Sequence, residues 1–503
     1  MKNSLGRFVP HGFIPYESDE AYLKLKRHTI SKTLSKNKDK LVSSMSQLFD
    51  ILNIKDGMCL SFHHHLRNGD GVLNMVLDEI KQRNLKNMVL APSAIFPVHA
   101  PMVGLIKSGH ITKIYTNYVN GPVAEAISQG FLKDLLLMDT HGGRPRAIES
   151  GELKIDVAFI AVPTSDKDGH GHGISGPSAC GVLGYPIPDL YYASKKVVIT
   201  DHLASDINPK DIDGNYVDYV LKVDSIGDPK GIQSGTTKPT TDPIQLKIAR
   251  QTVKLMDALG YIKEGLSFQT GAGGTSLAVA QGLKKIMEEK KIKGSFASGG
   301  ITYLLVEMLE AKLFEKLYDV QCFDLNAVES YKKNNHHLFM SASTYGNPLE
   351  EHPIVNDLDV VILGATEVDL HFNVNVTTSS SGMLMGGSGG HADTAYGAKC
   401  TIITTNLMKS RLPIIKKEVK TITTPGSSID CIVTERGIAI NPKRTDLIEK
   451  LKDSKLHIVP IESLYAYAIK MTGNPEETKM THKKVIGVCR YRDGSVIDTL
   501  YQV

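Results

Sequence analysis

Three consecutive histidines stand in the stretch LSFHHHLRNGDG (60–71), and an arginine follows two residues later. In an extended segment His63, His64 and His65 point alternately to opposite faces, so they cannot all bind one metal ion. The chain contains no HExxH pattern of zinc ligands, and the internal position argues against an expression tag. We therefore predict a strand end that offers N–H groups to a carboxylate, which Arg67 grips with two hydrogen bonds. At least one of the three histidines is expected to be only structural.

A glycine-rich loop, QTGAGGTS (269–276), precedes a predicted helix. Such a loop exposes backbone N–H groups in front of a helix N-terminus, which suits an anion or an oxyanion. It lacks the third glycine of GxGxxG, and no Gly-Lys-Ser/Thr follows, so it fits neither a dinucleotide loop nor a Walker loop. A plain tight turn is the alternative interpretation.

A second glycine cluster, MGGSGGHAD (385–393), lies between strand-like segments. A flexible surface loop is the simple interpretation, but the flanking VNV and CTIITT favour a loop that approaches a ligand. A further stretch, DKDGHGHGISGPSACG (166–181), contains His170 and His172 among many glycines, so we predict a turn there rather than a zinc site.

Short apolar runs alternate with amphipathic segments in the first half of the chain. This alternation predicts a parallel sheet with helices on its faces. The strand-like runs are 58–62, 87–92, 156–166 and 195–203, and the helical ones are 71–86 and 124–137.

The alternation begins again after the Thr- and Pro-rich stretch 235–243. A single core usually stops growing near ~250–300 residues, so a chain of 503 residues is expected to form two domains. We place them at residues 1–240 and 241–503. In the second half the predicted helices are 243–259, 276–291 and 303–317, and the predicted strands are 359–368, 400–405 and 429–434.

Two stretches resemble copies of one unit. Both open on Leu-Ser-Phe, at Leu60 and at Leu266, pass through a polar loop with glycine and enter a predicted helix. Any two strand–loop–helix units share this outline. The more informative interpretation is two domains of one fold that face each other through equivalent loops, beyond the carboxyl ends of their strands.

The composition is ordinary for a globular protein, with 41% hydrophobic and 22% charged residues. A net charge of +4 is too small and too dispersed to indicate nucleic-acid binding. No uncharged apolar run of ~18 residues predicts a membrane span, and no signal peptide is apparent. The six cysteines form no CxxC pair and are expected to be reduced, which favours a cytoplasmic protein.

Several long motifs are distributed along nearly the whole chain. In order they are GRFVPHGF, SFHHHLRNGDGV, SGPSACGVLGY, SFQTGAGGTSLAVA, FASGGITYLLVEMLEA, DVQCFDL, ATEVDLHFNVNV, GGSGGHADTAYGAKCTI and VTERGIAINPKRTDL. Together they resemble the citrate lyase alpha subunit family, a branch of the coenzyme A transferases. The resemblance implies two similar open α/β domains with mainly parallel sheets, as in coenzyme A transferases.

The resemblance also implies an activity. Citrate would attack an acetyl thioester on the phosphopantetheine-type arm of an acyl carrier (gamma) subunit, giving citryl thioester and acetate. A citryl lyase (beta) subunit of the same multisubunit complex would then cleave the product. This chain would hold no tightly bound cofactor and no metal, and acetyl-coenzyme A could replace the carrier.

One position departs from the wider transferase pattern. Many coenzyme A transferases carry a nucleophilic glutamate where this chain has Ala297 or Ser298, and Glu307 comes only later, in a predicted helix. A covalent acyl-enzyme needs the carboxylate at the reacting carbonyl, so we expect direct attack within a ternary complex.

In the terms of this family, four groups of residues are candidates for the site. The citrate carboxylates would be bound by His64, His65, Arg67, Gly271, Gly273, Gly274 and Thr275. The N–H groups of Gly387, Gly389 and Gly390 would stabilise the oxyanion of the reacting thioester. Ser388, His391 and Asp393 would bind the thioester arm, or merely hold the loop. Glu367 is a candidate catalytic carboxylate, with an orienting or structural role as the alternative.

Three other functions compete with citrate transfer. A citramalate transferase would look nearly the same, and a transferase or hydrolase for another acyl-coenzyme A is disfavoured by the missing glutamate. A scaffold that only binds the carrier protein is disfavoured by the dense backbone donors of the two glycine loops.

Overall fold

A computed structural model of the chain describes residues 1–21, 29–233, 237–474 and 484–503. Within these ranges the chain forms two large, mainly parallel β-sheets with helices packed on them, which confirms the predicted α/β class. No helix in the described ranges is both long and apolar enough to cross a membrane.

The first sheet has ten strands in the described part of the chain, and only its last strand is antiparallel to its neighbour. From edge to edge the strands are Leu41–Val42, Tyr219–Lys222, Lys195–Thr200, Val157–Ala161, Cys59–Phe62, Met88–Pro92, Ile111–Thr116, Leu136–Met138, Val485–Arg490 and Val496–Tyr501.

The second sheet has eight strands among the residues described, and again only the last pair is antiparallel. In order they are His337–Phe339, Phe314–Cys322, Gly294–Ile301, Ser267–Thr270, Val360–Gly364, Cys400–Thr404, Cys431–Thr434 and Gly437–Ile440. Segments between the later strands of this sheet form a smaller sheet. Its strands are Glu367–Asp369, Val374–Asn375 and Ile415–Lys416.

The two large sheets are built in the same order around the strands that follow the two Leu-Ser-Phe starts. In each sheet the next three strands of that sheet along the chain lie on one side of the central strand, and the three after them lie on the other side. In the second sheet Gly437–Ile440 adds a fourth strand on that other side. The central strands, Cys59–Phe62 and Ser267–Thr270, are buried throughout, as expected for parallel strands covered on both faces. The predicted duplication is therefore present in the strand order.

The last two strands of the first sheet come from the far end of the sequence. Val485–Arg490 pairs in parallel with Leu136–Met138, and Val496–Tyr501 forms the edge. A division of the chain at residue 240 stays a prediction, and residues 234–236 beside it lie outside the described ranges.

The helices of the described ranges cover the sheets. They are Met45–Ile51, Val72–Gln82, Met102–Lys107, Pro122–Ser128, Gly143–Glu149, Ile187–Tyr192, Pro243–Ala258, Gly274–Lys290, Tyr303–Glu310, Leu325–Lys333, Ala342–Gly346, His391–Gly397, Thr445–Leu451 and Ile461–Thr472. Pro243–Ala258 illustrates the local signals: the Asp242 carboxylate accepts the N–H of Ile244 at 3.0 Å at its start, and Gly260 adopts φ +77° just after its end.

Two predicted helices are shorter than their apolar pattern indicates. The segment 124–137 leaves its helix after Ser128, turns at Gly130 (φ +79°) and continues as a strand. The segment 303–317 leaves its helix after Glu310, turns at Lys312 (φ +60°) and also continues as a strand. In both cases a residue in the left-handed region ends the helix.

A buried carboxylate joins the two halves away from the sheets. Glu149, at the end of a first-half helix, accepts hydrogen bonds from the Ser343 hydroxyl and from Asn347 Nδ2, the latter at 2.8 Å. Burial raises the pKa of Glu149 from its ordinary 4.5 to about 7, against the opposing effect of these two hydrogen bonds. Between those values the folded chain holds a proton here that the unfolded chain has released, so stability falls as pH rises.

We expect Glu149→Gln to remove this pH dependence. The carboxyl contributes stability that is fully present below pH 4.5 and is lost as pH rises through about 7. The melting temperature of Glu149→Gln relative to that of the wild type should therefore rise across this range. The rise corresponds to a change on the order of 3 kcal/mol in the difference between their free energies of unfolding. Thermal melts in matched buffers measure it.

The exposed Glu351 provides the matched control Glu351→Gln, which makes the same chemical change at the surface. A difference between Glu149→Gln and the wild type that is constant with pH would contradict the assignment.

Candidate active site

The histidine segment, which follows the first central strand, contacts the carboxyl end of the strand Phe314–Cys322 in the second sheet. Gln321 Nε2, from the second half, donates to the His64 carbonyl oxygen at 2.9 Å. The Arg67 guanidinium lies 4.8 Å from the centre of the Phe323 ring. The structure therefore brings the histidine segment to the junction of the two halves, where parallel sheets place their ligands.

His63 is a structural member of the histidine triplet. Its Nε2 lies 3.1 Å from Asp189 Oδ2, and both side chains are buried. Asp189 also accepts hydrogen bonds from Ser61 and Arg144. Burial raises the pKa of Asp189, but the charges of Arg144 and His63 outweigh that effect and hold it below its ordinary value. One of the three histidines thus anchors the segment, as predicted.

His64 and His65 are buried and neutral. His64 Nδ1 lies 2.6 Å from Ser93 Oγ, and its ring packs 4.5 Å from the Tyr185 ring. Burial, and then nearby positive charge, lowers the pKa of His64 well below its ordinary value, and burial lowers that of His65 to about 3. His65 Nε2 is buried with no hydrogen-bond partner among the described residues. Both rings can donate N–H groups to a ligand but bring no positive charge.

Arg67 supplies positive charge beside them. Its backbone adopts φ +51°, and its guanidinium lies between the rings of Phe96 and Phe323, with centroid distances of 5.6 and 4.8 Å. One nitrogen donates to the Ile232 carbonyl at 3.2 Å. The guanidinium is thus held in place by stacking, which leaves further donors for an anion.

The first glycine loop forms an open helix N-terminus. Gly273 is the N-cap of the helix Gly274–Lys290, no side chain caps it, and the space beside its Cα is free. The Gly271 N–H is already donated to the Ile362 carbonyl at 3.1 Å. Among the predicted residues, the N–H groups at the start of the helix, including that of Thr275, are therefore better candidates for binding an anion than Gly271.

The second glycine loop packs directly against the first half. A Cβ atom at Gly387 would lie 2.2 Å from the Asn117 carbonyl oxygen, and one at Gly390 would lie 2.2 Å from Tyr345 Oη. The Gly389 N–H donates to the Asn117 carbonyl at 3.2 Å. Glycine is required for this close approach, and Gly389 is not a free oxyanion donor, which leaves Gly387 and Gly390 as candidates.

The His391 ring binds residues outside the loop, whereas Ser388 has one weak contact within it. The two ring nitrogens of His391 lie 2.8 Å from Thr424 Oγ1 and 3.0 Å from the Gly364 carbonyl oxygen. Burial lowers the pKa of His391 to about 4, so the ring is neutral. Ser388 Oγ receives only a long contact, 3.5 Å, from the Ala392 N–H. The contacts of His391 favour the alternative that it holds the loop.

Asp393 spans the two halves of the chain. Its carboxylate accepts hydrogen bonds from Thr140 Oγ1 and from the Gly142 N–H, each at 2.8 Å. Burial raises its pKa to about 6, against the opposing charge of Arg492. This geometry fixes the loop after the strand Leu136–Met138 and likewise favours a positioning role over contact with a thioester arm.

Glu367 is fully enclosed by partners of its own half. It forms an ion pair with Lys416 and accepts hydrogen bonds from Asn375 Nδ2 and the Lys420 N–H, each at 2.9 Å. Burial raises its pKa, but the hydrogen bond and charge of Lys416 outweigh that effect and keep it below the ordinary value. These contacts favour the orienting role over the catalytic one.

The position predicted to correspond to the nucleophilic glutamate of other transferases has neutral neighbours. Ser298 Oγ donates to Gln269 Oε1 at 3.1 Å, and Gln269 Nε2 donates to Tyr345 Oη at 2.9 Å. Glu307 lies on the helix that follows and pairs with Lys284 at 2.8 Å.

His141, Tyr185 and Tyr345 were not predicted as site residues. His141 lies in the turn after the strand Leu136–Met138, where ligand-binding residues are expected, but most of that strand was predicted to be helix. Tyr185 ends the motif SGPSACGVLGY, for which no role was predicted, and Tyr345 lies outside the motifs. The ring centres of His141 and Tyr185 lie 4.8 Å apart, and Tyr345 contacts the second glycine loop.

One group of possible metal ligands lies next to this region in the described part of the chain. Atoms of Asp319, Cys322 and His337 lie within 4.8 Å of one another, all buried. Asp319 Oδ2 lies 3.0 Å from His337 Nε2 and 3.1 Å from Cys322 Sγ, while Asp319 Oδ1 accepts the Gln321 N–H. The three side chains satisfy one another, and they orient the turn that carries Gln321.

Comparison with known proteins gives one consistent family. Residues 38–503 match the family described as Citrate lyase, alpha subunit (CitF). The chain is 44% identical to the citrate lyase alpha chain of Haemophilus influenzae over 479 residues, 95% of each chain.

Solved structures agree with this result. The chain has a TM-score of 0.95 and 41% identity, over all of both chains, to the alpha subunit of citrate lyase from Streptococcus mutans, solved in complex with citrate. A Pseudomonas malonate decarboxylase hetero-tetramer gives a TM-score of 0.64 at 13% identity, covering 88% of this chain and 89% of that one, which shows a shared fold.

We expect Gly390→Ala to destabilise the protein. The new methyl group would lie 2.2 Å from Tyr345 Oη, so either the tyrosine or the glycine loop must move. The cost of such overpacking is about 1–3 kcal/mol, seen as a lower melting temperature.

Gly364→Ala is the matched control, since nothing lies within 4 Å of the added atom. Equal melting temperatures for the two variants would show that the loop does not pack as described.

Proposed function

The chain belongs to the citrate lyase alpha subunit family, the coenzyme A transferase component of citrate lyase, and from this premise we propose that it exchanges acetyl for citryl on a carrier thioester. Citrate and the acetyl thioester would react to give citryl thioester and acetate. The observation that supports this most directly is the set of neutral histidines and one arginine at the junction of the halves, which reaches the second glycine loop through His141.

Citrate is the acid that we propose for this site. It carries three carboxylates near neutral pH. They need hydrogen-bond donors that keep their own protons. Arg67 would bind one carboxylate, while His64 and His65 would donate N–H groups to it or to a second. The helix N-terminus at Gly273, Gly274 and Thr275 would complete the set.

The exchange itself requires no net proton transfer. A citrate carboxylate attacks the thioester carbon, the carbonyl electron pair moves onto oxygen, and the carbon–sulfur bond breaks to give an anhydride and a thiolate. The thiolate then attacks the citryl carbonyl, and acetate leaves. Neutral hydrogen-bond donors suit this reaction better than a general base, since they stabilise the oxyanions directly. With Ser298 at the glutamate position, we propose that no acyl-enzyme forms.

The thioester would be carried on a phosphopantetheine-type arm of an acyl carrier (gamma) subunit. A citryl lyase (beta) subunit in the same complex would consume the citryl thioester. We propose a cytoplasmic location and no tightly bound cofactor in this chain, with acetyl-coenzyme A as a surrogate substrate.

The direct test mixes the chain with citrate and acetyl-coenzyme A and follows citryl thioester and acetate by mass spectrometry. A parallel reaction contains (S)-citramalate, and the protein is examined for a covalent acyl adduct. Citryl thioester without an adduct is the expected result. A citramalyl product instead would reassign the substrate, and no product even after addition of the carrier subunit would support the scaffold function.

We expect Arg67→Ala to weaken citrate binding far more than acetyl-thioester binding. Loss of a charge-assisted bidentate contact costs about 1.5–3 kcal/mol, so the dissociation constant of citrate should rise by roughly 10- to 100-fold. Calorimetric titration with citrate and with acetyl-coenzyme A measures both.

Arg436, which is exposed, gives the control variant Arg436→Ala, and its affinities should match those of the wild type. Equal losses for citrate and for acetyl-coenzyme A in Arg67→Ala would refute the role of Arg67 in holding the acid.

A further inference from the structure

Three aromatic rings in contact form one wall of the candidate site. We call His64, Tyr185 and His141 the aromatic wall: the Tyr185 ring lies 4.5 Å from that of His64 and 4.8 Å from that of His141. At the His64 end the wall continues through Phe96, 6.2 Å away, to Arg67. At the other end it meets Gly389. The wall thus connects the arginine with the second glycine loop.

His141 is pressed against that loop. Its backbone N–H donates to the Gly389 carbonyl at 2.7 Å. Gly389 adopts φ +50°, and a Cβ atom there would lie 3.3 Å from His141 Nε2. A side chain at residue 389 would therefore crowd the imidazole, and the glycine gives Nε2 its space.

The two nitrogens of the His141 ring have different surroundings. Nδ1 is buried and has no hydrogen-bond partner among the described residues. Nε2 faces the glycine loop. Burial, and then the charge of Arg144, lowers the pKa of His141 to about 3, so the ring is neutral. A neutral imidazole with its proton on Nε2 is a hydrogen-bond donor that cannot be titrated away in the physiological range.

We propose that His141 is a catalytic residue whose Nε2–H donates to the oxyanion that forms on the thioester carbonyl oxygen, beside the N–H groups of Gly387 and Gly390. This assignment rests on the proposed transferase function. In the step concerned, the citrate carboxylate oxygen bonds to the thioester carbon and the carbonyl π electrons move onto oxygen. The Nε2–H stabilises that charge until the carbon–sulfur bond breaks, and its proton stays on the nitrogen.

The rings of His64 and His141 lie 5.9 Å apart, but the two residues have different neighbours on their outer sides. Arg67 stands at the far end, beyond Phe96 and His64, where the acid would be held. His141 stands at the end occupied by the glycine loop, so it meets the acyl group on the carrier. Its removal should therefore lower turnover and leave citrate affinity unchanged.

The test compares His141→Phe, His141→Gln and the wild type in the full chain, with citrate and acetyl-coenzyme A. His141→Phe keeps a ring in the wall but removes the donor, so kcat should fall by about 10²- to 10³-fold. His141→Gln keeps an N–H donor and should retain kcat to within about tenfold of the wild type. The citrate dissociation constant, measured by calorimetry, should stay within about twofold in both. His352→Phe, at an exposed histidine, is the matched control.

A second readout does not depend on turnover. The infrared stretch of ¹³C=O-labelled acetyl-coenzyme A should shift to lower frequency on binding to the wild type, because donors polarise the carbonyl. The shift should be smaller in His141→Phe and partly restored in His141→Gln, with circular dichroism confirming that each variant is folded. If His141→Phe is unfolded, His141→Ala replaces it as the donor-free variant, and the same differences from the wild type and from His141→Gln are expected.

Two results would overturn the assignment. One is a kcat of the folded donor-free variant within about threefold of the wild type, and the other is a citrate dissociation constant that rises by the factor by which kcat falls. Failure of the proposed function looks different: the wild type itself would form no citryl thioester with either the surrogate or the carrier, and the role of His141 would fall with it.

Discussion

The Asp393 carboxylate is buried between the two halves of the chain, where it accepts hydrogen bonds from Thr140 and Gly142. Burying a carboxylate is costly, and here the cost is offset by two short hydrogen bonds and by the charge of Arg492. The two donors flank His141 in the sequence, so the clamp fixes the turn that brings this imidazole to the glycine loop. Gln321 makes the matching contact from the second half to the histidine segment. The site exists because these contacts hold two sheet ends together.

A second theme is the neutrality of the groups that face the site. Burial lowers the pKa of His64, His65, His141 and His391, so four imidazoles near the junction of the halves stay uncharged. Arg67 is the cation that we assign to citrate binding. Because carboxylate and thioester exchange without a net proton transfer, such a site gains from fixed donors and has no need for a group that titrates near neutral pH. Burial is the main cause of this neutrality for all four rings.

The sequence was sufficient for the class of fold and for part of the site. Strands in parallel sheets are short, continuous apolar runs, and the Leu-Ser-Phe repeat correctly indicated two equivalent central strands. The histidine segment and both glycine loops were recognisable because several unusual residues stand together. His141 was missed because Leu132 to Leu137 extend an amphipathic helical pattern, and only the backbone turn at Gly130 reveals the strand. The positioning of Asp393 depends on partners about 250 residues away, which no local pattern reports.

The first sheet depends on a pairing that spans most of the sequence. Arg490 binds Asp139 at 2.7 Å across a separation of 351 residues, and the strand Val485–Arg490 lies between Leu136–Met138 and the antiparallel edge. During synthesis, Leu136–Met138 emerges from the ribosome long before its neighbour and waits as an exposed edge strand. Closing so long a loop is slow, and the strand beside the site loop is completed only after the second sheet has been translated. The Asp139–His141 turn therefore reaches its final structure late in folding, after both halves of the chain have been synthesised.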